Sequence, residues 1–192
     1  MKKKHEEYTM RIVAGEFRGR KIAHPAVSVV RPTKDRVREA VFNMMAEFIP
    51  GASVLDLFAG SGAYGIEAVS RGAGKTVFVD SNSVCAGTIK SNLKQLSINE
   101  RVSVIQCDAE SVLAKMKDSN ERFDVVFADP PYGLGLARKT LISINRYDIL
   151  SQPGFLVLEH CEDEMVPECE GGISLFKQKK YKDIIISIYR RQ

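Results

Sequence analysis

The sequence predicts an α/β protein on a Rossmann-like, doubly wound, mostly parallel sheet of seven strands that ends in an antiparallel hairpin. Two observations carry this. Between residues 53 and 159, short apolar runs rich in Val, Ile, Leu and Phe alternate with segments of helical spacing. This is the pattern of buried parallel strands joined by crossover helices. Beyond residue 159 the alternation stops. Two strand-like runs, Ile173–Phe176 and Ile184–Tyr189, are then separated only by a basic turn from Lys177 to Asp183.

The elements follow in order. From about Met10 to Val30, short β-like pieces (Arg11–Val13 and Lys21–Ala23) are separated by Gly15 and Gly19 and punctuated by Pro25 and Pro32. A helix is expected from Lys34 to about Phe48, with Val37, Val41, Met44, Met45 and Phe48 on one stripe and Pro50-Gly51 ending it. Strands are expected at Ser53–Leu57, Thr76–Val79, Val102–Gln106, Phe123–Ala128 and Phe155–Glu159. The helices between them are Ala63–Arg71, Ser83–Leu96, Ala109–Met116 and Gly135–Ile144. The division expected is a basic N-terminal extension, residues 1–33, and one domain, residues 34–192.

A chain of 192 residues suits one domain with its own core. Net charge is +4 but unevenly placed: residues 1–38 hold 11 Lys/Arg against 4 Asp/Glu, leaving 17 against 20 in the rest. A basic arm on a slightly acidic body points to a polyanionic partner. No apolar run reaches membrane-spanning length, and Met1–Met10 lacks the apolar stretch of a secretory signal, so a cytoplasmic protein is expected. Cys85, Cys107, Cys161 and Cys169 form no C-x-x-C pair. Neither a metal site nor a disulfide framework is expected from them.

The first strand of the alternation runs into Asp56-Leu57-Phe58-Ala59-Gly60-Ser61-Gly62-Ala63-Tyr64-Gly65, in which Gly60, Gly62 and Gly65 fit G-x-G-x-x-G. Such a turn brings backbone close to a ligand at a helix N-terminus. Asp80, 20 residues after Gly60, ends the second strand, where a carboxylate can accept from ribose hydroxyls. The pattern alone also serves dinucleotides. Asp56 favours S-adenosylmethionine, since a carboxylate there attracts an ammonium group and repels a pyrophosphate. Asp108 closes the third strand and suits either an adenine amino group or the N-cap of the next helix. Phe58, Ser61, Ala109 and Asp129 complete the candidate cofactor set.

The fourth strand ends in Asp129-Pro130-Pro131-Tyr132. The prolines stiffen the loop and remove backbone donors, so the Asp129 carboxylate and the Pro130 carbonyl can both face a ligand as acceptors. An exocyclic amine on a purine is a poor nucleophile because its lone pair is delocalised into the ring. Two acceptors holding its N–H bonds stabilise the positive charge that develops on transfer, and Tyr132 offers a face on which the base can stack.

These motifs resemble the RsmD family, bacterial 16S rRNA guanine-N2 methyltransferases with the class I methyltransferase fold. The resemblance is carried by Met10–Gly15 with Arg18-Gly19-Arg20-Lys21, by Arg31-Pro32-Thr33 and Asp35–Asn43, and by Asp56–Gly65. Glu67-Ala68, Ser70–Ala73 and Ala128–Tyr132 extend it. It implies S-adenosylmethionine as cofactor, Asp129, Pro130 and Tyr132 as catalytic residues, and 16S rRNA of the small subunit, whole or assembling, as partner of a monomer. It further implies that Arg18, Arg20, Lys21, Arg36 and Arg38 face RNA, although Arg36 and Arg38 also suit surface pairs with Asp35 or Glu39. Three positions depart from the family's pattern: Asp80 where Glu is frequent, Tyr64 where Leu is common, and Lys182 where Gly often follows the hairpin aromatic. Competing readings are an N6-adenine methyltransferase, a protein glutamine methyltransferase, which typically carries Asn in place of Asp129, and a non-catalytic ribosome assembly factor.

Overall fold

The computed structural model describes residues 9–27 and 35–192. Arg31-Pro32-Thr33, Lys34 and most of the Met1–Thr9 extension lie outside the described residues. The elements are β1 (Thr9–Arg11), β2 (Lys21–Ala23), α1 (Asp35–Met44), β3 (Ser53–Leu57), α2 (Ala63–Ser70), β4 (Lys75–Asp80), α3 (Ser83–Gln95) and β5 (Val102–Gln106). They continue as α4 (Ala109–Asp118), β6 (Phe123–Ala128), α5 (Leu136–Arg146), β7 (Leu150–Cys161), β8 (Cys169–Glu170), β9 (Ile173–Tyr181) and β10 (Ile184–Arg191).

One sheet carries the order β5-β4-β3-β6-β7-β10-β9-β8. Strands β3 to β7 are parallel, and β10 inserts antiparallel between β7 and β9. The sheet is thus the mostly parallel one expected, with an eighth strand of two residues added at its edge beside β9. Strand β7 begins at Leu150, earlier than its apolar run suggests, because Pro153-Gly154 interrupts the pattern within the strand. Strand β9 runs on through Lys177–Lys180, leaving Lys182-Asp183 as the whole turn. Its partner β10 supplies the apolar half of that pairing, while the lysines are exposed, Lys180 pairing with Glu162. The helix expected to reach Phe48 stops at Met44 and continues as a 3₁₀ turn, Ala46–Phe48.

Alternation along the strands divides the core. On one face Leu55, Val126 and Leu158 pack with Leu113 and Met116 of α4 and Leu141 and Ile144 of α5. On the other Val54, Phe127 and Val157 pack with Val41 and Phe42 of α1 and Ala68 of α2. The β1–β2 hairpin is part of this body: Met10, Ile12 and Ile22 are buried against Ile66, Phe78, Ile89 and Leu93. Burial of each such side chain contributes about 1.5–3 kcal/mol. No helix among the described residues is long and apolar enough to cross a membrane.

A buried carboxylate fastens the N-terminal segment to α2. Glu67, 1% exposed, accepts from the backbone N–H groups of Val13 at 2.8 Å and Ala14 at 2.9 Å, and from Arg71 Nε at 2.9 Å. Arg38 Nε lies 3.7 Å from its second oxygen. One turn along α2, Ser70 Oγ donates to the Ala14 carbonyl at 2.6 Å and accepts from Phe17 N–H at 3.0 Å. Arg38 was expected to face RNA. It is 1% exposed, and its guanidinium donates to the Arg11 carbonyl and to Asp35 Oδ1 at 3.0 Å. Its charge is spent inside the protein, because a buried Glu67 needs a cation.

Removing one member of a buried charge pair leaves the other uncompensated, at a cost of about 3–5 kcal/mol. Glu67→Ala is therefore expected to lower stability by that amount in urea denaturation. A loss below about 1 kcal/mol, the scale of an exposed pair, would show that Arg38 and the arm are satisfied without it.

Candidate functional site

The strand order reverses between β3 and β6: from β3 the chain moves outward through β4 and β5, then crosses back to β6 on the other side. Ligand clefts of doubly wound sheets form at the carboxyl ends of strands at such a reversal. A cleft of about 1540 Å³ opens there, lined by Asp56, Phe58, Gly60, Ser61, Asp80, Asp108, Ala109, Asp129, Pro130 and Tyr132. The structure thus brings the candidate cofactor and catalytic residues to one place, with the exception of Gly62. A pocket for one small ligand spans about 300–1,000 Å³, so this cleft has room for two.

The turn after β3 explains its composition. Phe58, Gly60 and Gly62 have φ of +65°, +56° and +79°, three left-handed residues within five. Gly62 sits behind the loop, where it caps α2 and packs against Ile89 and Phe78. A Cβ on Gly65 would fall 2.2 Å from Cε1 of the fully buried Phe78. Gly62 and Gly65 therefore serve the turn and the close packing of α2 on β4, while Gly60 and Ser61 line the cleft.

Two carboxylates hold this loop. Asp56 Oδ2 accepts from Gly65 N–H at 2.8 Å and is 3% exposed. Burial pushes its carboxyl up to about 7; the Gly65 hydrogen bond opposes this, and the nearby Asp80 charge adds to it. Asp80 Oδ2 accepts from Gly60 N–H and Oδ1 from Asn82 N–H, both at 2.8 Å. A carboxylate has about four acceptor positions, so Asp80 retains capacity toward a diol in the cleft. Asp108 is the N-cap of α4 and accepts from Ser111 N–H at 2.9 Å. That backbone donor holds its carboxyl below the usual range. The cap and a place in the cleft lining coexist in one residue.

Opposite, Asp129 follows β6 directly, and the Tyr132 hydroxyl donates to Glu159 Oε1 at 2.6 Å. Glu159, near the end of β7, also accepts from the Tyr64 hydroxyl at 3.2 Å, and both residues line the cleft. Sequence reasoning passed over Glu159, although its signal was present: a carboxylate after the apolar Phe155–Leu158, at the carboxyl end of a parallel strand. Its neighbour His160 points to the other face. There its ring nitrogens meet the Cys161 carbonyl at 3.0 Å and Ser187 Oγ at 2.9 Å, and burial lowers its pKa.

The expected RNA-facing residues separate. Arg36 is exposed and lines the cleft, together with the exposed Lys139 and Lys182. Arg18, Arg20 and Lys21 are exposed in the hairpin outside the cleft lining, and Arg20 donates to the Gln95 carbonyl at 2.7 Å. Lys182 has φ of +53°, the left-handed conformation that a glycine adopts without strain. Among the described residues no group of three or more His, Cys, Asp or Glu side chains is placed to hold a metal ion.

Comparison with known proteins agrees with this geometry. The family model described as "Conserved hypothetical protein 95" matches residues 10–190. The chain belongs to this family, the RsmD family. Among its relatives is the Escherichia coli (strain K12) ribosomal RNA small subunit methyltransferase D, 32% identical over 183 residues, which cover 95% of this chain and 90% of that protein. The solved structure of Escherichia coli yhhF shares 32% identity at a TM-score of 0.83, covering 96% of this chain and 99% of that one. At 18% identity and a TM-score of 0.69, the fold is also that of the Thermus thermophilus 16S rRNA N2 G1207 methyltransferase, solved with AdoMet and guanosine. That match covers 97% of this RsmD-family chain and 50% of the Thermus protein.

The raised Asp56 pKa predicts a pH dependence. In the folded chain the carboxyl holds its proton up to about pH 7, against 3.8 for the ordinary group. Its contribution to stability is complete below the ordinary pKa and is lost as pH rises toward 7. Wild type should therefore lose stability relative to Asp56→Asn between pH 5 and 7.5 in urea titrations. Parallel curves over that range would mean that Asp56 is already ionised at pH 5.

Proposed function

We infer that this RsmD-family chain is an S-adenosylmethionine-dependent methyltransferase that modifies the exocyclic N2 amine of one guanine in 16S rRNA of the small ribosomal subunit. The observation that carries this is the two-sided cleft. Asp56, Gly60, Asp80 and Asp108 stand on the β3–β5 side and Asp129-Pro130-Pro131-Tyr132 on the β6 side, across a volume suited to two ligands. The name of the Escherichia coli relative, a ribosomal RNA small subunit methyltransferase, supports the substrate class. The Thermus protein, which shares only the fold, gives a precedent for cofactor and guanosine on such a scaffold.

The residues fit the cofactor. Asp56 at the loop base suits an ammonium group, Asp80 the ribose diol, and Asp108 with Ala109 the adenine edge. The Tyr181 hydroxyl, buried in the cleft lining, has no hydrogen-bond partner among the described residues, as expected of a group kept for a polar ligand. S-adenosylmethionine supplies a methyl group made electrophilic by its sulfonium. The chain's own contribution is to place the amine. Tyr132 stacks the base, and the Asp129 carboxylate and Pro130 carbonyl hold the two N–H bonds. Asp129 then accepts the proton released as the new N–C bond forms. Charge stabilisation and alignment are the sources of rate. Phosphates meet Arg36, Lys139 and Lys182 at the cleft mouth, with Arg18, Arg20 and Lys21 of the 1–33 extension extending the track; residues 34–192 form the methyltransferase domain.

The deciding experiment adds purified protein and methyl-labelled cofactor to small subunits from cells lacking this gene, then identifies the labelled nucleoside. N2-methylguanosine at a single site is expected; label on adenine N6 would overturn the base assignment, and absence of label in rRNA the substrate. In the same assay Asp129→Ala should retain cofactor affinity within about threefold while losing 10²-fold or more of the transfer rate, the scale of one positioned acid–base group. Equal loss of both would place Asp129 on the cofactor instead. Replacing both Lys139 and Lys182 by Glu should weaken RNA binding and reduce the slope of log K against log salt by about 1 or more; an unchanged slope would remove the mouth from the phosphate track.

A further inference from the structure

Glu159 has no part in the chemistry just described, yet it is the residue that joins the two sides of the cleft. It is 4% exposed, and each of its carboxylate oxygens accepts from a tyrosine. Oε1 takes the Tyr132 hydroxyl at 2.6 Å and Oε2 the Tyr64 hydroxyl at 3.2 Å. Tyr132 belongs to the loop after β6. Tyr64 is the second residue of α2, just after the glycine loop. The Tyr64 ring stacks on Phe127 of β6 with centroids 5.1 Å apart and planes at 14°, two residues before Asp129.

A carboxylate held in apolar surroundings is retained only with good hydrogen bonds. Burial raises the pKa of Glu159, while the two phenols act against that shift. Those phenols are neutral donors with little freedom. Tyr64 is fixed by its stack, so the Glu159 carboxylate is fixed in turn, and Tyr132 has its hydroxyl tied to a stationary point. The backbone and the hydroxyl bond fix the long axis of the ring, and because a phenol O–H prefers the ring plane, a stationary acceptor also biases the ring's tilt about that axis.

We propose that Glu159 is a positioning residue for methyl transfer: it sets the plane of the Tyr132 ring, and so of the base stacked on it, relative to the helix that follows the cofactor loop. The proposal rests on the reading of Tyr132 as the stacking surface. Misplacement of a reacting group by about 1 Å lowers a rate by about 10²-fold, so a ring free to swing costs turnover even when both ligands still bind. The signature is a loss in kcat with cofactor affinity and KM little changed.

The experiment compares Glu159→Ala, Glu159→Gln, Tyr132→Phe and the double variant Glu159→Gln/Tyr132→Phe. The substrate is small subunits lacking the modification, and cofactor affinity is followed by calorimetry. Glu159→Ala is expected to lose about 10²-fold in kcat, with cofactor Kd and KM within about threefold. Glu159→Gln, which keeps one acceptor, should recover part of that loss. In the double variant the two effects should fall short of multiplying, because Tyr132→Phe has already removed the hydrogen bond through which Glu159→Gln acts on that ring. Multiplying effects would overturn the proposal and place Glu159 on the base itself. A loss confined to KM would overturn it as well. Should Glu159→Ala not fold, the cycle of the Gln and Phe variants carries the same test. A second readout requires no turnover: in ring-labelled tyrosine spectra, Tyr132 should give one sharp environment in wild type and an averaged or split one in Glu159→Gln. An unchanged Tyr132 signal overturns the proposal even if wild type methylates rRNA. Conversely, a changed signal in a protein that transfers no methyl group to rRNA would leave Glu159 holding the ring and overturn the substrate reading alone.

Discussion

The cleft depends on a reversal of the chain within five residues at the end of β3, and on the carboxylates that keep it in shape. Three left-handed residues, Phe58, Gly60 and Gly62, put the loop in a conformation that the rest of the strand cannot propagate. A side chain such as that of Phe58 tolerates this only where surrounding contacts over-determine the backbone. Asp56 supplies one constraint from inside the strand by holding Gly65 N–H, and Asp80 another from the neighbouring strand by holding Gly60 N–H. Both oxygens involved belong to groups that line the cleft. The same residues thus shape the loop and line the cleft, where a cation-bearing ligand, which would draw the proton from Asp56, suits them better than a pyrophosphate.

The N-terminal segment is attached to that loop by a second set of contacts. Asn92 of α3 accepts from Ala23 N–H and donates to the carbonyls of Ala23 and Ser61, while the Ser61 hydroxyl points to the Met10 sulfur at 3.6 Å. Glu67 holds Val13 and Ala14 from the other side of the hairpin. Basic composition suggests an arm that reaches outward. The buried Met10, Ile12 and Ile22 make it instead a strap across α2 and α3 that shares contacts with the loop lining the cleft. Removing the segment would take away its surface cations but also expose the buried Glu67–Arg38 pair and part of the core, so any role toward RNA is separable from its role in the fold only by changing exposed charges one at a time.

Much of the scaffold was legible because parallel strands are buried on both faces and leave uninterrupted apolar runs. Strands Ser53–Leu57 and Phe123–Ala128 have the bounds that composition suggests. The signal weakens where burial is one-sided. Strand β9 continues through Lys177–Lys180 since its backbone is paired while its side chains are exposed, and periodicity carries no trace of such a strand. Arg38 shows the limit for charged residues. Charge alone reads as surface, but whether an arginine is buried is decided by a partner such as Glu67, 29 positions away and unpaired with it in any local pattern. Lys182 is the reverse case: the family resemblance flags a position where glycine is usual, and the structure places that residue at φ of +53°.

The arrangement of charge adds a further argument about what the cleft can accept. Its floor is acidic, with Asp56, Asp80, Asp129 and the buried Glu159, whereas Arg36, Lys139 and Lys182 line it from exposed positions. A polyanion is attracted to the mouth and repelled from the floor, so a nucleic acid strand can lie across the opening without sliding into the cofactor side. A single base turned out of that strand carries its phosphates only as far as the mouth and meets acceptors below, which favours an edge rich in N–H donors. Guanine presents N1–H beside its N2 amine, and adenine an N6 amine with two N–H donors beside an acceptor ring nitrogen. Acidic residues beneath exposed cations therefore suit the amino edge of either purine, so the charge pattern bears on where a nucleic acid strand can lie rather than on which base is chosen.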